Sequence, residues 1–215
     1  MDFLVMLGEL SKGLLVSIEI FLLTLAFSLP LGLLVSFGRM SKNPVLRTII
    51  KVYISIMRGT PLMLQLIVVY FAPYYIFGWS IGGYRFPAVI IAFSINYAAY
   101  FAEIYRGGIE SMSKGQYEAA YVLGYSKVQT FTRIIFPQVI KIILPSVTNE
   151  IITLVKDTSL AFVIAQAEMF TIAKQIASKE ASVMPLMVAG LFYFVFNALV
   201  AFVMERIEKK MNYYR

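Results

Sequence analysis

The two residue types that build most enzyme and metal sites are missing from this sequence. It contains neither cysteine nor histidine, so disulfides, thiolate chemistry and the commonest metal ligands and general bases are excluded. Charged residues are also scarce, because they make up 14% of the 215 residues, against about 25% in a soluble domain. We therefore expect no metal centre and no catalytic residues of the familiar kinds.

Apolar residues dominate instead, at 60% of the chain, with a mean hydropathy of +0.77. A membrane-spanning helix needs about 20 mostly apolar residues. Candidate runs lie at 20–40 (with 14–19 before it), 61–77, 86–102, 139–155 and 181–204. The start of the chain lacks the basic region and cleavage site of a signal peptide, so we expect the first run to be retained. The sequence predicts an all-α integral membrane protein of five transmembrane helices, forming one domain over residues 1–215.

Basic residues set the expected orientation, because positively charged loops stay in the cytoplasm. The net charge is +7, and the cations collect after the first, third and fifth runs: Arg39, Lys42, Arg47, Lys51; Arg106, Lys114, Lys127, Arg133; Arg206, Lys209, Lys210, Arg215. The N-terminus is therefore predicted to lie outside and the C-terminus inside a plasma or inner membrane. This distribution favours a membrane face over a nucleic-acid partner.

A polar loop at about 111–137 interrupts the apolar sequence. Residues 116–122 look helical, Gly124 permits a tight turn, and a helical pattern resumes at Lys127 before Pro137. Two short helices of this kind suit docking of a soluble protein or an amphipathic helix on the membrane surface. Composition alone leaves both interpretations open.

The same loop resembles a known signature. The run Glu118-Ala119-Ala120, then Gly124, then Ile134-Ile135-Phe136-Pro137 is similar to the EAA motif of ABC importer permeases, with Phe136 in place of the usual leucine. Segments 58–61, 102–109, 115–116 and 156–160 resemble the polar amino-acid permeases of the histidine, glutamine and arginine uptake type. The resemblance implies a type I importer permease fold and a coupling helix that contacts a cytoplasmic ATPase through Gln116, Glu118, Ala119, Ala120 and Gly124.

Further partners follow from this resemblance. It implies a second permease copy, identical or related, and an external amino-acid-binding protein, all in membrane lipid. The P-loop pattern G-x-x-x-x-G-K-[ST] is absent, so this chain is predicted to be no enzyme and to hold no cofactor, with ATP and Mg bound by the ATPase. A stand-alone channel or ion-coupled secondary transporter is the alternative, although we see none of the inverted repeats common there. A membrane enzyme is disfavoured because histidine and cysteine are absent, which leaves open only carboxylate chemistry through Glu150 and Asp157.

Ionisable groups inside a span cost roughly 2.5–3.5 kcal/mol on insertion scales, so they are functional candidates. Glu150 is the best candidate for selecting a cationic side chain, and Asp157 follows near the outer end of the same run. Arg58 precedes a Gly-Thr-Pro break, where a half-helix could hold a substrate carboxylate. Pairing of Arg58 with Glu103 is the equally favoured alternative. Glu19 is interpreted as an interhelical or interfacial residue.

Asn96, Tyr100 and Glu103 are spaced four and three residues apart and so share one helix face. Glu103 lies towards the cytoplasmic end, which favours a structural or gating pair. The predicted substrate-binding set is Arg58, Asn96, Tyr100, Glu103, Glu150, Asp157, Thr158 and Ser159. The segment 158–176 is either re-entrant, with irregular backbone lining the pathway, or a helix on the outer membrane surface.

Overall fold

Helices account for all the regular structure in residues 2–211, the part of the chain that the computed structural model describes. Arg215, one of the cations used to orient the chain, lies outside this range. The elements are α1 Phe3–Arg39, α2 Pro44–Gly59, α3 Leu62–Phe77, α4 Arg85–Glu110, α5 Lys114–Val122, α6 Lys127–Gln129, a π-helical stretch Thr130–Ile135, α7 Phe136–Asp157, a 3-10 stretch Thr158–Ile164, α8 Met169–Glu180 and α9 Met184–Met211. The all-α prediction is confirmed.

Four helical units are long and apolar enough to cross a membrane: α1, α4, α9 and the 38-residue run Lys127–Ile164, which contains α7. A fifth span arises if α2 and α3, which meet at a bend of 111°, count as one. The spans extend beyond the predicted runs. In particular, α1 begins at Phe3, since the side chain of Asp2 accepts a hydrogen bond from Leu4 N at 3.3 Å and caps the helix.

The core centres on α4, which packs against α1, α3 and α7. Small residues let the helices approach closely. A Cβ on Gly32 of α1 would lie 2.8 Å from Phe101 Cβ and 3.1 Å from the Ala98 carbonyl oxygen. Nearer the end of α4, a Cβ on Gly108 would clash with Ile143 Cγ2 of α7. Helix α4 thus packs closely against both neighbours.

Helix α2 was not predicted, because its basic residues were assigned to a loop. Asn43 caps it through its side-chain oxygen, which accepts from Val45 N at 2.9 Å, and Pro44 occupies the first turn. Its packed face reaches α4, where Ile54 is buried and Tyr53 Oη donates a hydrogen bond to the Ile95 carbonyl. The helix ends at Gly59, just before the break that Thr60 and Pro61 form.

The segment after α7 lies inside the fold. In the 3-10 stretch, Thr158 and Ala161 are fully buried, and the stretch packs against α3, α7 and α8. This placement suits the re-entrant interpretation, since irregular backbone at membrane depth must be buried in protein or line a cavity. Helix α8 then packs on α1 and α9 instead of lying free on a surface.

Candidate functional site

A cavity of ≈ 450 Å³ lies where the α2–α3 break faces α4 and the outer half of α7. Its walls combine polar and aromatic side chains from all three elements: Thr60, Pro61, Leu62, Asn96, Tyr97, Tyr100, Glu150, Thr153, Asp157 and Leu160. Glu150 and Asp157 are seven residues apart, so they project from the same face of α7. The lining carries two carboxylates and no basic side chain, which makes the cavity attractive to a cation.

The two carboxylates differ in their surroundings. Asp157 Oδ2 accepts a hydrogen bond from Tyr97 Oη at 2.7 Å, so the tyrosine fixes its orientation. Glu150 is half-buried, and it has no ion pair or hydrogen bond to any other residue of the range 2–211. A carboxylate removed from water is stabilised by an ionic or hydrogen-bonding partner. Glu150 is the carboxylate of this cavity that lacks such a partner.

The α2–α3 break is braced by two buried amides. Asn96 Nδ2 donates to the Met57 carbonyl and to Gln65 Oε1, both at 2.9 Å. Gln65 Nε2 in turn lies 2.9 Å from the Met57 carbonyl and 2.8 Å from Thr60 Oγ1. Asn96 therefore holds the wall of the cavity through its amide nitrogen.

Helix α3 begins at the cavity with its N-terminus uncapped by any side chain. Its cap residue Pro61 and its first residue Leu62 both line the cavity. The first backbone N–H groups of a helix lack intrahelical acceptors, and the helix dipole makes this end partly positive. The cavity lining thus includes a partly positive helix end in addition to the two carboxylates.

Arg58 and Glu103 lie beside the cavity without lining it. The Arg58 guanidinium carbon is 5.3 Å from the centre of the Tyr100 ring, and its Nη1 is 3.9 Å from Glu103 Oε2. Glu103 also accepts two hydrogen bonds from Arg106, at 2.7 and 3.1 Å, and lies 3.8 Å from Arg39. Glu103 of α4 thus joins the last turn of α1 and the last turn of α2.

The predicted set is therefore only partly brought together. Asn96, Tyr100, Glu150 and Asp157 line one cavity, and Arg58 adjoins it through Tyr100. Thr158 and Ser159 lie outside it, with their hydroxyls bonded to the carbonyls of Val155 and Lys156. Sequence reasoning missed Tyr97, Thr153 and Gln65. Thr153 could have been predicted, because residues 150, 153 and 157 share one helix face. Tyr97 and Gln65 are identified only by their tertiary contacts.

The loop at 111–137 forms an exposed helical hairpin. Gly124 ends α5 in the left-handed region, with φ +78°, and Tyr125 N donates to the Ala120 carbonyl at 3.0 Å. Ser126 and Gln129 then form a capping box that starts α6. Gln116, Glu118 and Ala119 are exposed while Ala120 is buried. Large apolar side chains on the same hairpin are exposed too: Tyr121, Val122, Leu123 and Val128.

Comparison with known proteins identifies the family. The family of binding-protein-dependent transport system inner membrane components matches residues 28–213. The chain belongs to this family. It is 37% identical over 202 residues to the putative glutamine transport system permease protein of Rickettsia conorii, covering 93% of this chain and 91% of that one. It is 36% identical over 208 residues to the L-cystine transport system permease protein of Bacillus subtilis, covering 95% and 87%.

A solved structure supports the same assignment. The crystal structure of an amino acid ABC transporter with histidines matches this permease with a TM-score of 0.87 and 31% identity, over 98% of this chain and 99% of that one. The permease is thus an amino-acid ABC transporter subunit of the inner membrane, with the type I importer fold. This confirms the predicted family over a stand-alone channel or an ion-coupled secondary transporter.

A second polar centre in the permease was not predicted. Glu168 is fully buried and caps α8, accepting hydrogen bonds from Phe170 N and Thr171 N at 2.8 and 2.7 Å. It also accepts from Thr171 Oγ1 at 2.8 Å and from Tyr193 Oη of α9 at 3.0 Å, and it lies 3.4 Å from Ser17 Oγ of α1. Burial raises the pKa of Glu168, and these hydrogen bonds oppose the rise. The network joins three helices.

Proposed function

We propose that this permease carries a cationic amino acid through the cavity and that a partner ATPase docked on α5 supplies the energy. The observation that carries the proposal is the pair Glu150 and Asp157 on one face of α7, in a cavity without a basic lining residue. Two carboxylates near each other repel, and a cation between them relieves that repulsion.

The arrangement suits each charged group of such a substrate. The α-carboxylate fits the uncapped N-terminus of α3 at Pro61 and Leu62. The α-ammonium fits Asp157, which Tyr97 orients, and the cationic side chain fits the unpaired Glu150. A guanidinium would form two parallel hydrogen bonds with a carboxylate, so arginine is the substrate that this geometry favours.

The exposed face of α7 supports a second permease copy. Ser146, Asn149, Thr153 and Lys156 follow one another along that face, and all are exposed in the single chain. Polar and charged side chains at membrane depth face a protein interior or a water-filled path and not lipid. A second copy facing this polar face of α7 would enclose a pathway, with Glu150 beside it.

The exposed helical hairpin at 111–137 supports the proposal of an ATPase partner. Tyr121 is 82% exposed and Val122 is 84% exposed on a cytoplasmic loop, and a docked protein would remove both from water. The run Lys127–Ile164 is one continuous helical unit from this hairpin to the cavity wall. Helix α5 packs on the π-helical stretch at the start of this run, so movement of α5 would reach Glu150 and Asp157 along it. ATP and Mg belong to the partner, and an external binding protein would deliver the substrate.

Uptake by proteoliposomes tests the proposal. The permease is reconstituted with its ATPase and binding protein, and accumulation of labelled arginine, lysine and glutamine is measured with and without ATP on the ATPase side. We expect ATP-dependent uptake in which arginine and lysine exceed glutamine. Uptake that follows an ion gradient without ATP would refute the coupling, and equal or preferred uptake of glutamine would refute the cationic substrate.

Cross-linking tests the second copy separately. The chain has no cysteine, so Asn149→Cys introduces a single thiol on the polar face of α7. Leu15→Cys, on an exposed apolar face of α1, is the matched control. We expect oxidation to yield a cross-linked permease pair with Asn149→Cys and none with Leu15→Cys. Monomeric Asn149→Cys after oxidation of the assembled transporter would contradict a shared pathway at this face.

A further inference from the structure

Helix α2 has three distinct faces. One packs on α1 and α4 through residues such as Ile50 and Ile54. A second is apolar and open to the surroundings: Val45, Ile49, Val52 and Ile56 follow one another at intervals of four, three and four residues, each at least 50% exposed. This spacing forms a continuous stripe along a helix. Nothing in residues 2–211 covers it.

The third face and the turn before it are basic. Lys42, Arg47 and Lys51 are exposed, and none of them forms an ion pair within residues 2–211. The sequence has no acidic residue from Glu19 to Glu103, so this surface has no local counter-charge. Three unpaired cations at the start of α2 are typical of a basic segment that contacts the headgroups of an anionic membrane.

An apolar groove lies beside the start of α2. It has a volume of ≈ 490 Å³ and runs between the end of α1 and the start of α2. Its lining is almost entirely apolar: Leu34, Val35, Phe37, Gly38, Ser41, Leu46 and Ile50. The three cations do not line the groove, but they lie in the same turn and in the same first two turns of α2 as its lining residues Ser41, Leu46 and Ile50. An acyl chain fits the groove, and a phosphate fits the basic edge.

We propose that the α1–α2 groove and the basic edge of α2 bind an anionic phospholipid of the cytoplasmic leaflet. The acyl chain lies against Leu34 and Leu46, and the phosphate lies at Arg47 and Lys51. The positive-inside rule places this surface at the cytoplasmic leaflet, whose anionic lipids attract basic segments near the membrane.

Charge favours the lipid over a second copy of the chain. A two-fold contact through this surface would bring the same patch together from both copies. The charged residues of α2 and of the turn before it are all basic, so both copies would bring only positive charge to such a contact. Like charges placed across an interface disfavour association, whereas a phosphate diester neutralises them. The binding site goes beyond the transport function and does not depend on the identity of the amino acid.

Native mass spectrometry of the assembled transporter tests the site. Wild type and the double variant Arg47→Gln/Lys51→Gln are purified from membranes and titrated with phosphatidylglycerol and, separately, phosphatidylcholine. The matched control is Lys209→Gln/Lys210→Gln, which removes the same charge from the cytoplasmic end of α9. We expect the α2 variant to bind phosphatidylglycerol about 25-fold more weakly, at about five-fold per basic residue, with phosphatidylcholine binding unchanged.

Two results would overturn the proposal. Equal phosphatidylglycerol affinity in wild type and the α2 variant would show that the basic edge binds no lipid headgroup. Efficient cross-linking of Ile49→Cys between two permease copies would show that a second copy occupies the stripe. Both readouts are independent of uptake, so a wrong substrate assignment would leave them unchanged.

Discussion

Replacing Glu168 by alanine should destabilise the permease more than any other removal of a single acid outside the cavity. Glu168 is fully buried, and its carboxylate accepts from Phe170 N, Thr171 N and Tyr193 Oη. Loss of a helix N-cap costs about 1 kcal/mol, and each buried donor left without an acceptor costs about 1–3 kcal/mol. The two N–H donors belong to the cap, and the two hydroxyl donors Thr171 Oγ1 and Tyr193 Oη add about 1 kcal/mol each at the lower end of that range. The expected loss is therefore about 3 kcal/mol, or a Tm lower by about 6–12 °C for a chain of this length.

Thermal unfolding of the purified permease in detergent measures this loss. Tyr193→Phe removes only one donor from the network, and hydrogen bonds inside membrane proteins average about 0.6 kcal/mol, so its Tm should fall by about 2 °C. Glu9→Ala is the matched control, because Glu9 is an exposed acid paired only with Lys12, and such a pair contributes about 0–1 kcal/mol. If Glu168→Ala, Tyr193→Phe and Glu9→Ala lowered the Tm by the same amount, the Glu168 network would not hold the helices together.

Three further outcomes follow from local geometry. Gly32→Ala should lower the free energy of unfolding by about 1–3 kcal/mol, because its Cβ would press on Ala98 and the neighbouring turn of α4. Gly190→Ala, whose Cβ would meet nothing within 4 Å, should not lower it. Chemical denaturation of the two variants measures the difference. Gly124→Ala should cost about 1–2 kcal/mol in the left-handed region and reduce ATPase activity stimulated by substrate. Tyr121→Arg should leave Tm unchanged and abolish co-purification of the ATPase; retained co-purification would refute docking on α5.

The long apolar helices were predictable because membrane thickness fixes their length and composition. The run 86–102 became α4 and the run 139–155 became α7, each extended by polar turns that lie beyond the apolar stretch. Helix α2 was missed because Arg39, Lys42, Arg47 and Lys51 were assigned together to a basic loop after the first span. Its apolar residues at 46, 50, 54 and 57 follow the period of a helix, and this pattern was overlooked.

Site residues were less predictable, because a site depends on which helices meet. Spacing along one helix placed Glu150 and Asp157 together, but no spacing relates Asp157 to Tyr97, sixty residues earlier. The same limit applied to Glu168, whose partners on α1 and α9 are distant in sequence. For Arg58 the sequence allowed either a substrate contact or a pair with Glu103. The structure contains the pair, and the guanidinium also lies over Tyr100.

Equilibrium binding to the purified transporter shows whether Glu150 selects a cationic amino acid. Arginine and glutamine are titrated against wild type, Glu150→Gln and the control Glu205→Gln, an exposed acid on α9 that pairs with Lys209. Hydrogen bonds to a charged group are worth about 1.5–3 kcal/mol, so Glu150→Gln should weaken arginine binding by at least about ten-fold. Glutamine binding and the control should not change. Arginine affinity that is equal in wild type and Glu150→Gln would contradict the account.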